Sequence, residues 1–192
     1  MRFSSIQAIN KKRSLLQLLF LILIFFSCNN VTKKAENKVT QLTGDTIHLP
    51  QKAEIIYKDS LYSKKLLAPS KPKLIISTFL WGECHSCIAD LKKWEEFYEY
   101  TLNNEEINLL FFLYISDLEI FKKNSYTKKI HKYPLILDYE NKYLLNNNLS
   151  TDKKMYQTFL LDSNNKVILV GNPIYSEKLM ELYKEEINKR LD

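Results

Sequence analysis

The sequence predicts an α/β domain in which helices flank a central mixed β-sheet. Two runs without charged residues, 74–80 and 107–115, are typical of strands that are buried on both faces. Two further apolar runs, 156–161 and 167–170, flank the polar stretch 162–166 and indicate a β-hairpin. A helical pattern follows the first strand and another closes the chain, so the order of elements favours one sheet covered by helices.

Shorter patterns predict the remaining elements. We expect leading strands near 47–49 and at 55–57, and another short strand at 135–137. Apolar residues spaced three and four positions apart predict a helix after the first buried strand: Ile88, Leu91, Trp94, Phe97 and Tyr98. Ser116 with Asp117, and later Ser176, are typical N-caps of two further helices.

The composition excludes several classes of site. The chain has 192 residues, which is enough for one domain with a hydrophobic core. Its three glycines are too far apart for a P-loop or a dinucleotide-binding fingerprint, and its three histidines are too scattered for an HExxH zinc site. The net charge of +6 arises mainly in the first 27 residues; the remainder carries 24 basic and 22 acidic residues, so no nucleic-acid partner is expected.

The first 27 residues have the pattern of an export signal. A basic segment at 11–13 precedes the 12-residue run 15–26, which is apolar except for Gln17 and is shorter than the ~20 residues that cross a bilayer. Ser27 and Cys28 follow, and the whole segment resembles a bacterial lipoprotein signal. The resemblance implies a signal peptide at 1–27 and a lipid on Cys28. An uncleaved N-terminal anchor is the alternative.

Residues 28–44 are predicted to form a flexible tether, because they are polar and show no apolar period. Such a tether would let the folded domain, predicted at 45–192, sit away from a membrane surface. A lipid on Cys28 would leave Cys84 and Cys87 as the two remaining cysteines of a chain exported to an oxidising compartment.

The chemistry of the chain is concentrated in the tetrapeptide Cys84-His85-Ser86-Cys87, which lies between the first buried strand and its helix. Two cysteines three positions apart at a helix start are close enough to form a disulfide. The unpaired N–H groups and partial positive charge of that helix end favour a thiolate on Cys84. Cys84 is therefore the predicted attacking thiolate, and Cys87 would resolve the mixed disulfide. A protonated His85 would stabilise the thiolate further, and Glu83 would oppose it.

Other interpretations of the same two cysteines stay open. Half of a zinc site has the same spacing, although no second CxxC exists to complete one. A purely structural disulfide is the other alternative, since exported proteins often carry them. A bridge that closes so small a loop gains little chain-entropy stabilisation, which favours a redox role over a stabilising one.

Three segments carry a resemblance to a known family. The segment FLWGECHSC with its amphipathic helix resembles the active-site region of thioredoxin-fold proteins. The stretch TFLLDSNNKVILVG at 158–171 and the ending PIYSEKLMELYKEEI are similar to the hairpin and final helix of membrane-anchored TlpA/ResA-type proteins. The resemblance covers roughly 45–192. It implies a thioredoxin-like fold, thiol–disulfide exchange without an organic cofactor, and the roles of nucleophile for Cys84 and resolving residue for Cys87.

The chain also departs from that family. Thioredoxins place Trp immediately before the first cysteine, whereas here Glu83 occupies that place and Trp81 stands two residues earlier, either as a wall of the site or in the core. Tyr156 falls where the family keeps a cis-proline facing the CxxC. A cis bond before a non-proline residue costs about 2.5–4 kcal/mol, so the bond before Tyr156 is predicted to be trans. The strand 74–80 contains no acid. Glu83 is the available substitute for the family's buried carboxylate, but an exposed glutamate is the favoured interpretation.

These observations predict a thiol–disulfide oxidoreductase that is lipid-anchored on the periplasmic side of a bacterial envelope. Its partners would be exported cysteine-containing proteins and an unidentified redox partner, and the protein would act as a monomer. Asn29 after the lipidated cysteine favours the outer membrane. Two alternatives remain: a lipoprotein that binds or carries copper or zinc, and a peroxide-reducing redoxin. The redoxin is disfavoured because Trp81 stands where peroxiredoxins have Thr.

Overall fold

The computed structural model describes residues 33, 36–58, 60–66, 72–123, 132–151 and 154–191. The chain divides into two units, Met1–Gln41 and Leu42–Asp192. In the first unit residues 36–41 are helical, and the Thr40 hydroxyl donates to the carbonyl oxygen of Glu36 at 2.9 Å. The predicted signal peptide and Cys28 lie outside the described residues. Among the described residues, no helix has the length and apolarity that crossing a membrane requires.

The second unit is built on one seven-stranded sheet with the order β2-β1-β5-β4-β3-β6-β7. Strands β3, β4 and β5 are parallel to one another, and the other neighbouring strands pair antiparallel. The sheet is therefore mixed, as the sequence predicts. The strands are β1 (Lys52–Tyr57), β2 (Ser60–Lys65), β3 (Leu74–Trp81), β4 (Ile107–Tyr114), β5 (Leu135–Asp138), β6 (Thr158–Asp162) and β7 (Val167–Val170).

The described helices of this unit are α1 (His85–Ala89), α2 (Glu95–Leu102), α3 (Leu118–Lys123), α4 (Lys142–Asn146) and α5 (Glu177–Leu191). Three 3₁₀ segments accompany them, at Asp90–Trp94, Lys154–Tyr156 and Pro173–Tyr175. The helix predicted after the first buried strand is thus divided into α1, a 3₁₀ turn and α2. In a 3₁₀ turn residues three apart face the same side, which lets Leu91 and Trp94 both enter the core.

Helices cover both faces of the sheet because alternate strand residues point to opposite sides. On one face Trp94 and Phe97 pack with Phe111 of β4, together with Tyr183 of α5. On the other face the ring of Tyr143 in α4 stacks on Phe112, with the ring centroids 4.3 Å apart. The Tyr143 hydroxyl also bonds the Ser77 hydroxyl at 2.9 Å. This arrangement confirms the predicted sheet flanked by helices.

The leading segment differs from the prediction. No strand forms at 47–49; instead Thr46 makes an isolated bridge to Lys166 in the hairpin turn. Strand β2 was not predicted, because all six of its residues are exposed and it has no burial pattern. The ordered domain also begins before residue 45: Leu42 is buried, and the Gly44 amide donates to the carbonyl oxygen of Val167 at 2.9 Å.

The carboxyl ends of β3, β4 and β5 lie at the same edge of the sheet because these strands are parallel. Each is followed by a helix, and the Cys84–Cys87 segment forms the first of these junctions. Ligands and reactive groups in open α/β sheets occupy this edge, since loops and helix N-termini meet there.

Candidate active site

Gly82 fixes the path of the chain between β3 and the cysteines. Its amide donates to the carbonyl oxygen of Tyr114 at 2.8 Å, which ties the loop to the end of β4. A Cβ atom at this position would lie 2.3 Å from Cγ2 of Ile115 and 2.8 Å from the Tyr114 carbonyl oxygen. Only glycine allows so close an approach. The site therefore depends on a residue without a side chain two positions before Cys84.

Cys84 and Cys87 form a disulfide across the first turn of α1, with their Cα atoms 5.2 Å apart. Cys84 is the N-cap residue, and its Sγ accepts a hydrogen bond from the Cys87 amide at 3.3 Å. The Ser86 hydroxyl lies 3.2 Å from the same sulfur. Cys84 is partly exposed, whereas Cys87 is 5% exposed. A partner can therefore reach the first sulfur while the second is held behind it.

Lys154 brings a positive charge to both sulfurs. Its Nζ lies 2.9 Å from Sγ of Cys87 and 3.6 Å from Sγ of Cys84. The side chain comes from the 3₁₀ turn Lys154–Tyr156, which precedes β6. This turn is held at the end of β3, because the Phe79 amide donates to the carbonyl oxygen of Gln157 at 3.1 Å. An ammonium group beside a cysteine pair favours the thiolate form of the reduced cysteines.

Asp90 anchors a polar cluster beyond Cys87. Its carboxylate pairs with the Lys93 ammonium at 2.9 Å and accepts a hydrogen bond from the Tyr175 hydroxyl. Burial raises the pKa of Asp90, but the hydrogen bonds from Lys93 and Tyr175 and the charges of Lys93 and Lys154 outweigh it, so the pKa lies below its usual value. Burial, together with the bond to Asp90, raises the pKa of Tyr175. The cluster holds an ionised carboxylate one helical turn from the second cysteine.

A small cavity of about 20 Å³ adjoins Cys87 and joins these groups into one site. Its lining includes Trp81, Trp94, Asp90, Lys154 and Tyr175. The Trp81 ring is partly exposed and packs edge-on against the rings of Phe79 and Tyr114, with centroids 5.3 Å and 5.1 Å away. Trp81 therefore lies beside the cavity and is not fully buried in the core.

The other predicted site residues lie around the cysteines in different roles. Glu83 is exposed, and its carboxylate accepts hydrogen bonds from the amide and hydroxyl of Ser116 at the end of β4. It joins two loops and is not a buried carboxylate. His85 is exposed as the first residue of α1. Tyr156 is 5% exposed, and the bond before it is trans, since the described residues contain no cis peptide bond.

Asp90, Lys154 and Tyr175 were not predicted as site residues. Asp90 could have been found, because it follows Cys87 by three positions and helical spacing brings it to the same side. Lys154 could have been suspected, because it stands two residues before Tyr156, whose position was expected to face the CxxC. No sequence pattern indicates Tyr175, since its place depends on how the 3₁₀ turn Pro173–Tyr175 packs.

The arrangement suits sulfur chemistry with a charged neighbour. In the described ranges no three His, Cys, Asp or Glu side chains are grouped so that they could hold a metal ion. The groups that meet at the site are two sulfurs, an ammonium, a carboxylate and a phenol. The ammonium can stabilise a thiolate on either sulfur.

Comparisons with known proteins identify the fold that carries this site. No protein-family model matches the sequence, and no curated protein has a significantly similar sequence. Solved structures share the architecture. A candidate protein disulfide isomerase from Bacteroides thetaiotaomicron superposes with a TM-score of 0.53 and 18% identity, over 78% of this chain and 89% of its own. A candidate thiol–disulfide oxidoreductase from Bacteroides vulgatus gives a TM-score of 0.53 and 18% identity, over 73% and 91%.

The reduced 2-Cys peroxiredoxin of Plasmodium vivax has the same architecture, with a TM-score of 0.52 and 17% identity over 77% of this chain and 98% of its own. At such identities the likeness shows the fold. The described part of residues 42–191 thus has the thioredoxin-like fold, as the resemblance in the sequence implies. It carries a CxxC disulfide, Cys84–Cys87, at the start of α1.

Proposed function

We propose that this protein is a thiol–disulfide oxidoreductase that exchanges disulfides with cysteine-containing proteins through Cys84 and Cys87. The observation that carries the proposal is the asymmetry of the pair: Cys84 is partly exposed at the start of α1, and Cys87 is buried behind it. An inert disulfide has no need of an accessible sulfur, whereas an exchanging pair needs one sulfur for its partner and a second within bonding distance.

The exchange follows from this geometry. In the reduced protein the Cys84 thiolate attacks a substrate disulfide; a bond forms between Cys84 and one substrate sulfur, and the other substrate sulfur leaves as a thiolate that takes up a proton. Cys87, deprotonated beside Lys154, then attacks Sγ of Cys84, which releases the second substrate thiolate. Two electrons pass to the substrate and the Cys84–Cys87 disulfide forms. The same steps in reverse oxidise a substrate dithiol.

Insulin reduction by the purified full-length protein in detergent tests the proposal. We expect Cys84→Ala to abolish exchange, because no thiolate then reaches the substrate. We expect Cys87→Ala to accumulate a mixed disulfide between Cys84 and the substrate, which is visible on a non-reducing gel and disappears with dithiothreitol. Exchange at the wild-type rate in both variants would refute the proposal.

We further propose that Cys28 carries a lipid and holds the protein on the periplasmic side of a bacterial envelope, in the outer membrane, with exported proteins as substrates. The basic segment 11–13, the apolar run 15–26 and Ser27 before Cys28 support this proposal. A CxxC pair also suits an oxidising compartment. The redox partner that regenerates the pair would act in the same compartment.

Cys28→Ala serves both proposals. We expect this variant to leave the membrane fraction, while its insulin-reduction rate in detergent stays at the wild-type value because Cys28 takes no part in exchange. The intact mass of the wild-type protein should correspond to residues 28–192 plus acyl chains. An unmodified Cys28 in a chain that retains residues 1–27 would overturn the lipid anchor and leave the exchange activity standing.

A further inference from the structure

We propose that Lys154 is the cationic group that stabilises the thiolate of the reduced Cys84–Cys87 pair and thereby raises its reduction potential. The inference rests on the proposed function, because it assigns the residue that tunes that same site. Lys154 lies 70 positions from Cys84 in the sequence, and its ammonium is within reach of both sulfurs.

The contact is worth more in the reduced protein than in the oxidised one. The distances from Nζ of Lys154, 2.9 Å to Cys87 and 3.6 Å to Cys84, are measured to neutral disulfide sulfurs, which are weak acceptors. Reduction breaks the S–S bond, adds two electrons and leaves a thiolate on one of these atoms. A charge-assisted hydrogen bond to an anion is roughly twice as strong as one to a neutral acceptor. Lys154 therefore favours the reduced form.

The backbone holds Lys154 in place. Gln157, which is 1% exposed, donates from Nε2 to the carbonyl oxygen of Ser150 at 2.7 Å and accepts from the Phe79 amide. Thr158, the next residue, bonds the Thr78 hydroxyl at 2.7 Å. The residues that follow the turn are thus fixed against β3, and Gln157 also ties them back to Ser150. A positioned cation costs little reorganisation when the thiolate forms.

Neighbouring charges set how strongly Lys154 stabilises a thiolate on the cysteines. The Asp90 carboxylate attracts Lys154, but it also holds the closer Lys93 ammonium and the Tyr175 hydroxyl. Part of its charge is therefore neutralised by groups other than Lys154. Glu83 is bonded to Ser116. Lys154 is left with a partly screened carboxylate on one side and the two sulfurs on the other.

The equilibrium between the full-length protein and a glutathione redox buffer tests this role. We expect Lys154→Met to shift the equilibrium constant about tenfold toward the disulfide form, which makes the potential about 30 mV more negative. Lys154→Arg keeps the charge and should recover most of the shift. Lys92→Met removes an exposed ammonium from the neighbouring 3₁₀ turn and should change the constant by less than about twofold.

The pH profile of Cys84 alkylation separates an electrostatic role from a structural one. The pH at which the alkylation rate is half-maximal should be higher for Lys154→Met than for the wild type. Lys154→Arg and Lys92→Met should stay near the wild-type value. Lys154 is exposed, so the variants should fold, and unfolding in urea checks this. Folded Lys154→Met that exchanges disulfides and keeps the wild-type redox equilibrium constant and alkylation midpoint would overturn the inference. The proposed thiol–disulfide exchange would then still stand. A shifted constant in a protein without exchange would overturn the function alone.

Discussion

Two junctions at the same edge of the sheet each place a side-chain acceptor against the first amides of a helix, with different chemistry. After β5, the two carboxylate oxygens of Asp138, three residues before the N-cap Asn141, accept from the amides of Lys142 and Tyr143 at 2.8 Å each. After β3, Cys84 caps α1 with a sulfur, which accepts from the Cys87 amide at 3.3 Å. Asp138 is 8% exposed, whereas Cys84 is open to solvent on one side.

The two junctions differ in how strongly the acceptor bonds the free amides at the start of the helix. A buried carboxylate accepts from two of the free amides at the start of α4 and contributes stability. A disulfide sulfur is a weak acceptor, so the start of α1 gains little in the oxidised protein and gains more when Cys84 becomes a thiolate. An acceptor at the first amides of a helix therefore stabilises the fold at one junction and a reactive intermediate at the other.

The largest effects are expected when the acceptors at the two junctions, Asp138 and Cys84, are replaced. We expect Asp138→Ala to lower the free energy of unfolding by about 2 kcal/mol, because two amides at the start of α4 lose their acceptor. The rate of insulin reduction at a temperature where the variant is folded should stay within about twofold, since Asp138 contacts neither sulfur. Urea unfolding and the insulin assay measure the two quantities.

Cys84→Ser is the matched variant at the other junction. Serine is a strong N-cap residue, so the free energy of unfolding should lie within about 0.5 kcal/mol of that of the reduced wild-type protein. Exchange should be lost completely. A large loss of stability in Cys84→Ser, or a loss of exchange in folded Asp138→Ala, would show that the two junctions do not divide stability and reactivity in this way.

The same comparison shows which parts of the molecule can be predicted from sequence. The strands β3 and β4 are charge-free runs, and their burial on both faces leaves a direct trace in composition. Cys84 and Cys87 could be predicted because the reactive pair and its helix are contiguous in sequence. Strand β2 left no trace, because it is held by backbone pairing with β1 and exposes all of its side chains.

The charged half of the site leaves only weak signals in the sequence, because it is assembled by packing. Lys154, Asp90 and Tyr175 come from three separate segments, and each is an ordinary surface residue type in its own stretch of sequence. The pattern of the family points to the strand 74–80 and to Glu83 as the places for a carboxylate. The structure places the carboxylate instead on the turn after α1, where it is held by Lys93.

We expect Asp90→Asn to change the redox equilibrium of the Cys84–Cys87 pair at the α1 junction. The change should be smaller than that for Lys154→Met and of opposite sign. The carboxylate repels a nearby thiolate and competes for Lys154, so its removal favours the reduced form. We expect the equilibrium constant with glutathione to shift about threefold toward the dithiol, or about 15 mV to a more positive potential. The redox titration used for Lys154 measures it.

The double variant Lys154→Met with Asp90→Asn tests whether the two charges act on each other. Because Lys154 contributes to the lowered pKa of Asp90, the effects of the two substitutions should not add. We expect Asp90→Asn to shift the constant less in the Lys154→Met background than in the wild type. Equal shifts in both backgrounds would mean that Asp90 acts on the sulfurs without Lys154.

The smallest expected effect is the acid dependence of stability at this junction. Burial raises the pKa of Asp90, but the hydrogen bonds from Lys93 and Tyr175 outweigh it and hold the pKa below its usual value. The ionised carboxylate is therefore more stable in the folded protein than in the unfolded chain. This stabilisation is complete above the ordinary carboxyl pKa of about 4 and is lost as the pH falls through the lower folded value. At pH 7 we expect the free energy of unfolding of the wild type to exceed that of Asp90→Asn by about 0.5 kcal/mol, and we expect a much smaller difference near pH 3. Urea unfolding measures both. A difference that grows on acidification would show that Asp90 is destabilised by its surroundings, because only a raised pKa gives that sign.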